Sequence, residues 1–117
     1  SGMVFFTTGS SELSREAATS LAQFADPLKG VLLRVELHGR VNASEASMGE
    51  EAARRLCYDR AMAVARELVR KGLSWTQLHL VVEGRSTRAM RESIDPSKRI
   101  DDACVEVIVT DEIVDGG

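Results

Sequence analysis

The sequence predicts one α/β (α+β) domain, a two-layer sandwich whose helices cover one face of a mixed sheet. Three observations predict it. Apolar and polar residues alternate over short segments, the pattern of a strand with one buried face. Between these lie two longer segments with apolar residues every three or four positions, the pattern of a helix buried on one side. The chain has 117 residues, the size of a single domain. The element order is βαβαβ(loop)β. No helix is expected between the last two strands, so the sheet should be mixed rather than wholly parallel.

The elements follow in chain order. Val4-Phe5-Phe6 reads as a brief strand, and Thr7-Thr8-Gly9-Ser10-Ser11 as a turn. Ser14 is the expected N-cap of a helix whose face is Ala17, Leu21, Phe24, Ala25 and Leu28. Pro27 and Gly30 end it. Val31 to His38 alternates, with Val31, Leu33, Val35 and Leu37 on the buried side. Gly39 to Ser47 is a polar loop. Ser47 and Glu50 match a capping box, and Ala53, Leu56, Cys57, Ala61, Val64, Leu68 and Val69 form the stripe of a long helix closed by Lys71-Gly72. Leu78 to Glu83 is a third strand. Residues 84–102 form an irregular stretch, and Cys104 to Thr110 is the last strand, with Val105, Val107 and Val109 inward. The domain is placed at residues 4–110, with 1–3 as a tag remnant or leader and 111–117 as a flexible tail.

Composition narrows the function. Aromatic residues are 4% of the chain, so Leu, Val, Ile and Ala must build the core. No apolar run reaches the roughly 18 residues of a membrane helix, and no leader pattern is present. A net charge of −3 argues against a nucleic-acid partner. Cys57, Cys104, His38 and His79 show no metal-ligand spacing, so no metal is expected. No nucleophile elbow, phosphate loop or paired-carboxylate motif is present, so neither an enzyme nor a cofactor is expected.

Four segments, in order, resemble the OmpA-like C-terminal domain shared by outer-membrane proteins, Pal lipoproteins and the MotB flagellar stator. They are Phe6-Thr7-Thr8-Gly9-Ser10-Ser11-Glu12-Leu13, Val35-Glu36-Leu37-His38-Gly39, Leu56-Cys57-Tyr58-Asp59-Arg60-Ala61-Met62-Ala63-Val64 and Val105-Glu106-Val107. The third is similar to the family's Leu-Ser-x-x-Arg-Ala-x-x-Val, and the second to the strand before its Gly-His-Thr-Asp. The resemblance implies non-covalent binding of peptidoglycan, through the diaminopimelate of the peptide stem. That group is zwitterionic, so its site needs an anion for the ammonium and a fork of donors for the carboxylate, a role that suits arginine.

Carried over residue by residue, the resemblance makes Arg60 the carboxylate ligand. On the residues alone, Arg60 borders the apolar stripe, either as a snorkelling boundary residue or as the anchor of a buried anion. Asn42 stands where the family has its aspartate, which keeps the shape and loses the charge; Glu45 in the same loop is the candidate substitute acid. Ala53 replaces the family's asparagine before Leu-Ser. Asp102-Ala103-Cys104 replaces its Asn-Arg-Arg, which leaves Asp102 as a further candidate contact. Most polar positions of the family's site have therefore changed while the apolar pattern is kept.

The resemblance also puts Cys57 and Cys104 beside the family's pocket, in the periplasm, where disulfides persist. Two readings stand, a Cys57–Cys104 bridge or two buried thiols acting as small apolar residues. Arg85, Arg88, Arg91, Lys98 and Arg99, set against Glu92 and Asp95, make segment 85–99 a net +3; an acidic partner or a merely solvated loop both account for it. His38 and His79 sit at polar strand positions and read as surface residues. The expected function is a periplasmic cell-envelope domain associated with peptidoglycan, with its membrane anchor outside this segment. The alternative is a domain that has lost that ligand and serves as an interaction or oligomerisation module for envelope proteins or a second copy of itself.

Overall fold

A computed structural model describes residues 2–82 and 103–114. Strand β1 (Gly2–Phe5) leads to helix α1 (Arg15–Ala25), a 3-10 turn at Asp26–Leu28, and strand β2 (Leu33–Gly39). The four-residue helix α2 (Ala43–Ala46) precedes the long helix α3 (Glu50–Arg70). A second 3-10 turn (Trp75–Gln77) opens strand β3 (Leu78–Val82), and strand β4 (Cys104–Ile113) is the last element.

The strands lie in the order β1-β4-β2-β3. β4 runs antiparallel to both its neighbours, while β2 and β3 are parallel and joined through the 3-10 turn and α3. The sheet is mixed, as expected, and α1 and α3 cover one face. Val35 and Leu37 of β2, Val105 and Val107 of β4, and Ala61, Val64, Ala65 and Leu68 of α3 form the centre of the core. Each fully buried Val or Leu in such a core contributes about 1.5–3 kcal/mol. The opposite face of β2 carries charge: Glu36 lies 3.2 Å from Arg34 and 2.9 Å from His38.

Several boundaries differ from the sequence reading. Gly2 and Met3 pair with Val107 and Glu106, so the leading residues belong to the sheet. β4 continues three residues past Thr110, with Ile113 opposite Leu33 and the Val114 N–H donating to the Leu32 carbonyl at 2.8 Å. Gly2, Met3 and residues 111–113, expected to lie outside the domain, thus join the sheet, because β4 and β2 offer them backbone partners. Ser14 caps α1 as predicted, its hydroxyl accepting from the Ala17 N–H at 3.0 Å. The cap predicted at Ser47 does not form. α3 begins at Glu50 behind Gly49, which has φ of 112° and no capping side chain. The Ser47 hydroxyl instead donates to the Ser44 carbonyl at 2.6 Å. The capping box sits five residues earlier, at Asn42 and Glu45.

Gly39 ends β2 directly against α3. A Cβ placed there would lie 2.1 Å from the Cys57 carbonyl oxygen, so no larger residue fits this crossing. The close approach brings the chain after β2 onto the side of α3 that carries Arg60.

Candidate functional site

Arg60 points inward from α3 and is completely buried. Its surroundings come from three parts of the chain. Its Nε donates to the Ser10 carbonyl at 2.9 Å, Nη1 to the Arg40 carbonyl at 3.0 Å, and Nη2 to the Thr7 carbonyl at 3.3 Å. The two remaining N–H groups form a fork on Glu45, Nη1 to Oε1 at 2.8 Å and Nη2 to Oε2 at 2.5 Å. The Phe6 ring packs against the guanidinium, 5.4 Å from its centroid to Cζ. A guanidinium has five N–H donors, and all five are used.

Glu45 is equally confined, at 2% exposure. Besides the fork from Arg60, Oε2 accepts the Gly9 N–H at 2.6 Å and Oε1 the Asn42 N–H at 2.9 Å. A carboxylate has about four lone-pair directions, and four donors fill them. Burial is the strongest single influence on this carboxyl and works to raise its pKa. The hydrogen bonds from Arg60, Gly9 and Asn42 and the charge of Arg60 together outweigh it, so the pKa lies below the usual carboxylate range.

The local sequence explains how Glu45 arrives there. Asn42 is the N-cap of α2; its Oδ1 accepts the Glu45 N–H at 2.8 Å, and its Nδ2 donates to Thr8 Oγ1 at 3.2 Å. Gly9, at φ 79°, turns the segment after β1 so that its N–H faces the carboxylate. Asn42 thus serves as the cap of α2, its Oδ1 engaged by the capping box.

Residues 5–101 match the OmpA family. The chain belongs to the OmpA family. Among solved structures, this OmpA domain is similar to the peptidoglycan-associated lipoprotein of Burkholderia pseudomallei, at 21% identity and a TM-score of 0.77, over 92% of this chain and 89% of that one. It is similar to the C-terminal domain of Helicobacter pylori MotB, at 16% identity and a TM-score of 0.74, over 93% and 83%. It is also similar to the OmpA-like domain of FopA1 from Francisella tularensis, at 20% identity and a TM-score of 0.69, over 90% and 68%. A search of curated protein sequences finds no significant match. At these identities the structures establish the shared fold.

The OmpA domain thus brings three of the sequence-predicted residues, Arg60, Glu45 and Asn42, into one hydrogen-bonded unit. Asp102 lies outside the described residues, as does the basic segment 85–99. Cys57 and Cys104 do not form the bridge considered above; both are buried thiols. Cys57 packs with Val41 and Ala53 in a small satellite core, while Cys104 opens β4, where its carbonyl accepts the Arg40 N–H at 2.9 Å. Their burial fits the alternative reading, in which they serve as small apolar residues.

The sequence reading missed the donors and acceptors supplied by the backbone, namely Thr7, Gly9, Ser10 and Arg40. Side-chain type says nothing about a carbonyl, and only the turn signal at Gly9 pointed there. It also missed Gln77, which is buried and donates to the carbonyls of Val31 at 3.0 Å and Leu33 at 2.8 Å. The signal was present: Ser74 and Gln77 have capping-box spacing, and both bonds of the box form. Beside Glu45 a cleft of about 240 Å³ opens to solvent, lined by Gly9, Glu45, Met48, Arg55, Leu56 and Asp59 among others.

Proposed function

We propose that this OmpA domain is a non-enzymatic cell-envelope module that works through protein partners or a second copy of itself, and that Arg60 no longer grips a peptidoglycan stem. One observation carries this reading. The place of a ligand carboxylate on Arg60 is taken by the chain's own Glu45, leaving the arginine without a donor and the glutamate without a lone pair for a zwitterion. Family membership and the peptidoglycan-associated lipoprotein among its structural relatives support the envelope setting.

The test is co-sedimentation of the purified domain with diaminopimelate-type sacculi. The wild type should stay in the supernatant. Retention of the wild type overturns the reading.

A second reading keeps the stem as ligand but moves it along α3. Arg55 and Asp59 are exposed, carry opposite charges one helical turn apart, and flank the cleft over Glu45. It predicts that the wild type is retained and that Arg55→Ala releases it.

A further inference from the structure

The strand order leaves β1 at one edge of the sheet, with no described strand beyond it. The direction of its backbone groups follows from its ladder with β4. The Phe6 N–H donates to the Ala103 carbonyl at 2.8 Å, directly opposite in the β1–β4 register. Bonded pairs alternate along an antiparallel ladder, so Gly2 and Val4 turn their backbone groups to β4, while Met3 and Phe5 turn theirs outward. Cys104, opposite Phe5, agrees with this phase: its carbonyl points away to β2 and accepts the Arg40 N–H. Natural edge strands are guarded by charge, proline or a bulge. β1 is Gly2-Met3-Val4-Phe5, with no charged residue, no proline and an unbroken register. Val4 is buried on the helix side; Met3 and Phe5 lie on the other face, where Phe5 is 50% exposed. On that same face β2 carries Arg34, Glu36 and His38.

We propose that β1 is a self-pairing edge, on which a second copy of this domain adds its own β1 antiparallel and joins the two sheets into one. The strand is complementary to itself. Met3 stands opposite Phe5 of the second copy, and the two Val4 residues meet on the two-fold axis. In that register the outward donors and acceptors of Met3 and Phe5 close four hydrogen bonds. It also sets Met3 against Phe5 on the open face, a thioether beside an aromatic ring, and Val4 against Val4 on the helix side. The acid beside Met3, Glu106, is already paired with Arg40 at 2.7 Å, so the contact strands no charge. A second copy supplies donors, acceptors and apolar side chains in matching places, which makes it the occupant. The inference rests on the proposed function and deepens it by naming the surface a second copy uses. Four residues a side make a small contact, so the dimer is weak, with a Kd of about 0.1–1 mM.

The test is sedimentation equilibrium at rising concentration, with variants that read the register. The wild type should pass from monomer towards dimer between about 0.1 and 1 mM. Met3→Pro removes one outward N–H per copy and spares the bonds to β4, since proline is tolerated where an edge strand faces solvent. It should weaken the dimer at least about tenfold beyond Met3→Ala, because two of the four bonds are lost. Val4→Cys should give a disulfide-linked dimer on mild oxidation, as its two copies face each other about 4.5 Å apart in a non-bonded pair. Met3→Cys should not, because the register holds its two copies roughly 8 Å apart. The wild type, whose Cys57 and Cys104 are buried, should not link.

A wild type that stays monomeric at about 1 mM overturns the proposal, and so does a dimer that Met3→Pro leaves unchanged. Equal linking of Val4→Cys and Met3→Cys overturns it too, since that is collision without a fixed register. Where Met3→Pro fails to fold, the cysteine pair decides: Val4→Cys linking alone supports the proposal, and neither linking overturns it. A wild type that dimerises yet is retained on sacculi sinks the proposed function and spares the edge. One that stays monomeric and unretained does the reverse.

Discussion

Removing the Glu45 side chain should destabilise the domain far more than its place in a four-residue helix implies. Glu45→Ala deletes four accepted hydrogen bonds at once, two from Arg60 and one each from Gly9 and Asn42. Arg60 stays fully buried and cannot discard its proton. Stranding one partner of a buried ion pair costs about 3–5 kcal/mol, and losing half of the α2 capping box adds up to about 1 kcal/mol. The expected loss is therefore about 4 kcal/mol, from a total of roughly 5–15 kcal/mol for a domain of this size. In urea, with a slope of about 1–3 kcal/mol per molar, the midpoint should fall by about 2 M. Arg60→Met should cost less near pH 4 than near pH 7, because a stranded Glu45 can take up a proton and the guanidinium cannot. The double variant should recover part of the loss, since it leaves no charge buried alone. A loss under about 1 kcal/mol for Glu45→Ala, the value of an exposed pair, would refute the claim that this carboxylate is confined and saturated.

Three further outcomes follow from the same geometry. Gly39→Ala should destabilise by several kcal/mol, because its Cβ meets the Cys57 carbonyl at 2.1 Å, whereas Gly30→Ala, with open space around it and φ of 76°, should cost only about 1–2 kcal/mol; equal urea midpoints for the two would contradict the close strand–helix crossing. Stability should be steady above the unfolded glutamate pKa of about 4.3 and fall as pH drops below it. The folded pKa of Glu45 is lowered, so its contribution is complete above that value and is lost on protonation; Glu45→Gln should flatten this part of the pH profile, and an unchanged profile would rule Glu45 out as its source. Cys57 and Cys104 should resist maleimide in the native protein and both react in urea without a reductant; a single-product mass lacking two additions would indicate a bridge instead.

Glu45 and Arg60 show how far each level of description reaches. Residue type and spacing were enough to mark Arg60 beside the apolar stripe of its helix and Glu45 as an acid in the preceding loop. They left open whether that arginine snorkels or anchors a buried anion, because the deciding partner is fifteen residues away and a backbone turn at Gly9 completes the site. Capping was legible as a pattern but misplaced by five residues. The box was expected at Ser47 and Glu50; it forms instead at Asn42 and Glu45, and the backbone of Gly49 at φ 112° separates α2 from α3. For the two cysteines a bridge and two buried thiols were both open, because whether sulfur meets sulfur depends on how α3 crosses the sheet, not on spacing along the chain.

What the sequence by itself determined is the set of elements and their apolar faces. Those rest on interactions between residues two to four apart, such as the alternation through Val35 and Leu37, the Ser14 cap, and the stripe from Ala61 to Leu68. Only the tertiary structure decided the order β1-β4-β2-β3, the insertion of Gly2 and Met3 at its edge, and the closure of Glu45 onto Arg60. Each of these joins segments far apart in the chain, often through backbone N–H and C=O groups that every residue carries alike. A side-chain pattern cannot name such a partner; the partner is chosen by which arrangement buries the apolar faces while leaving no buried charge or donor unmatched.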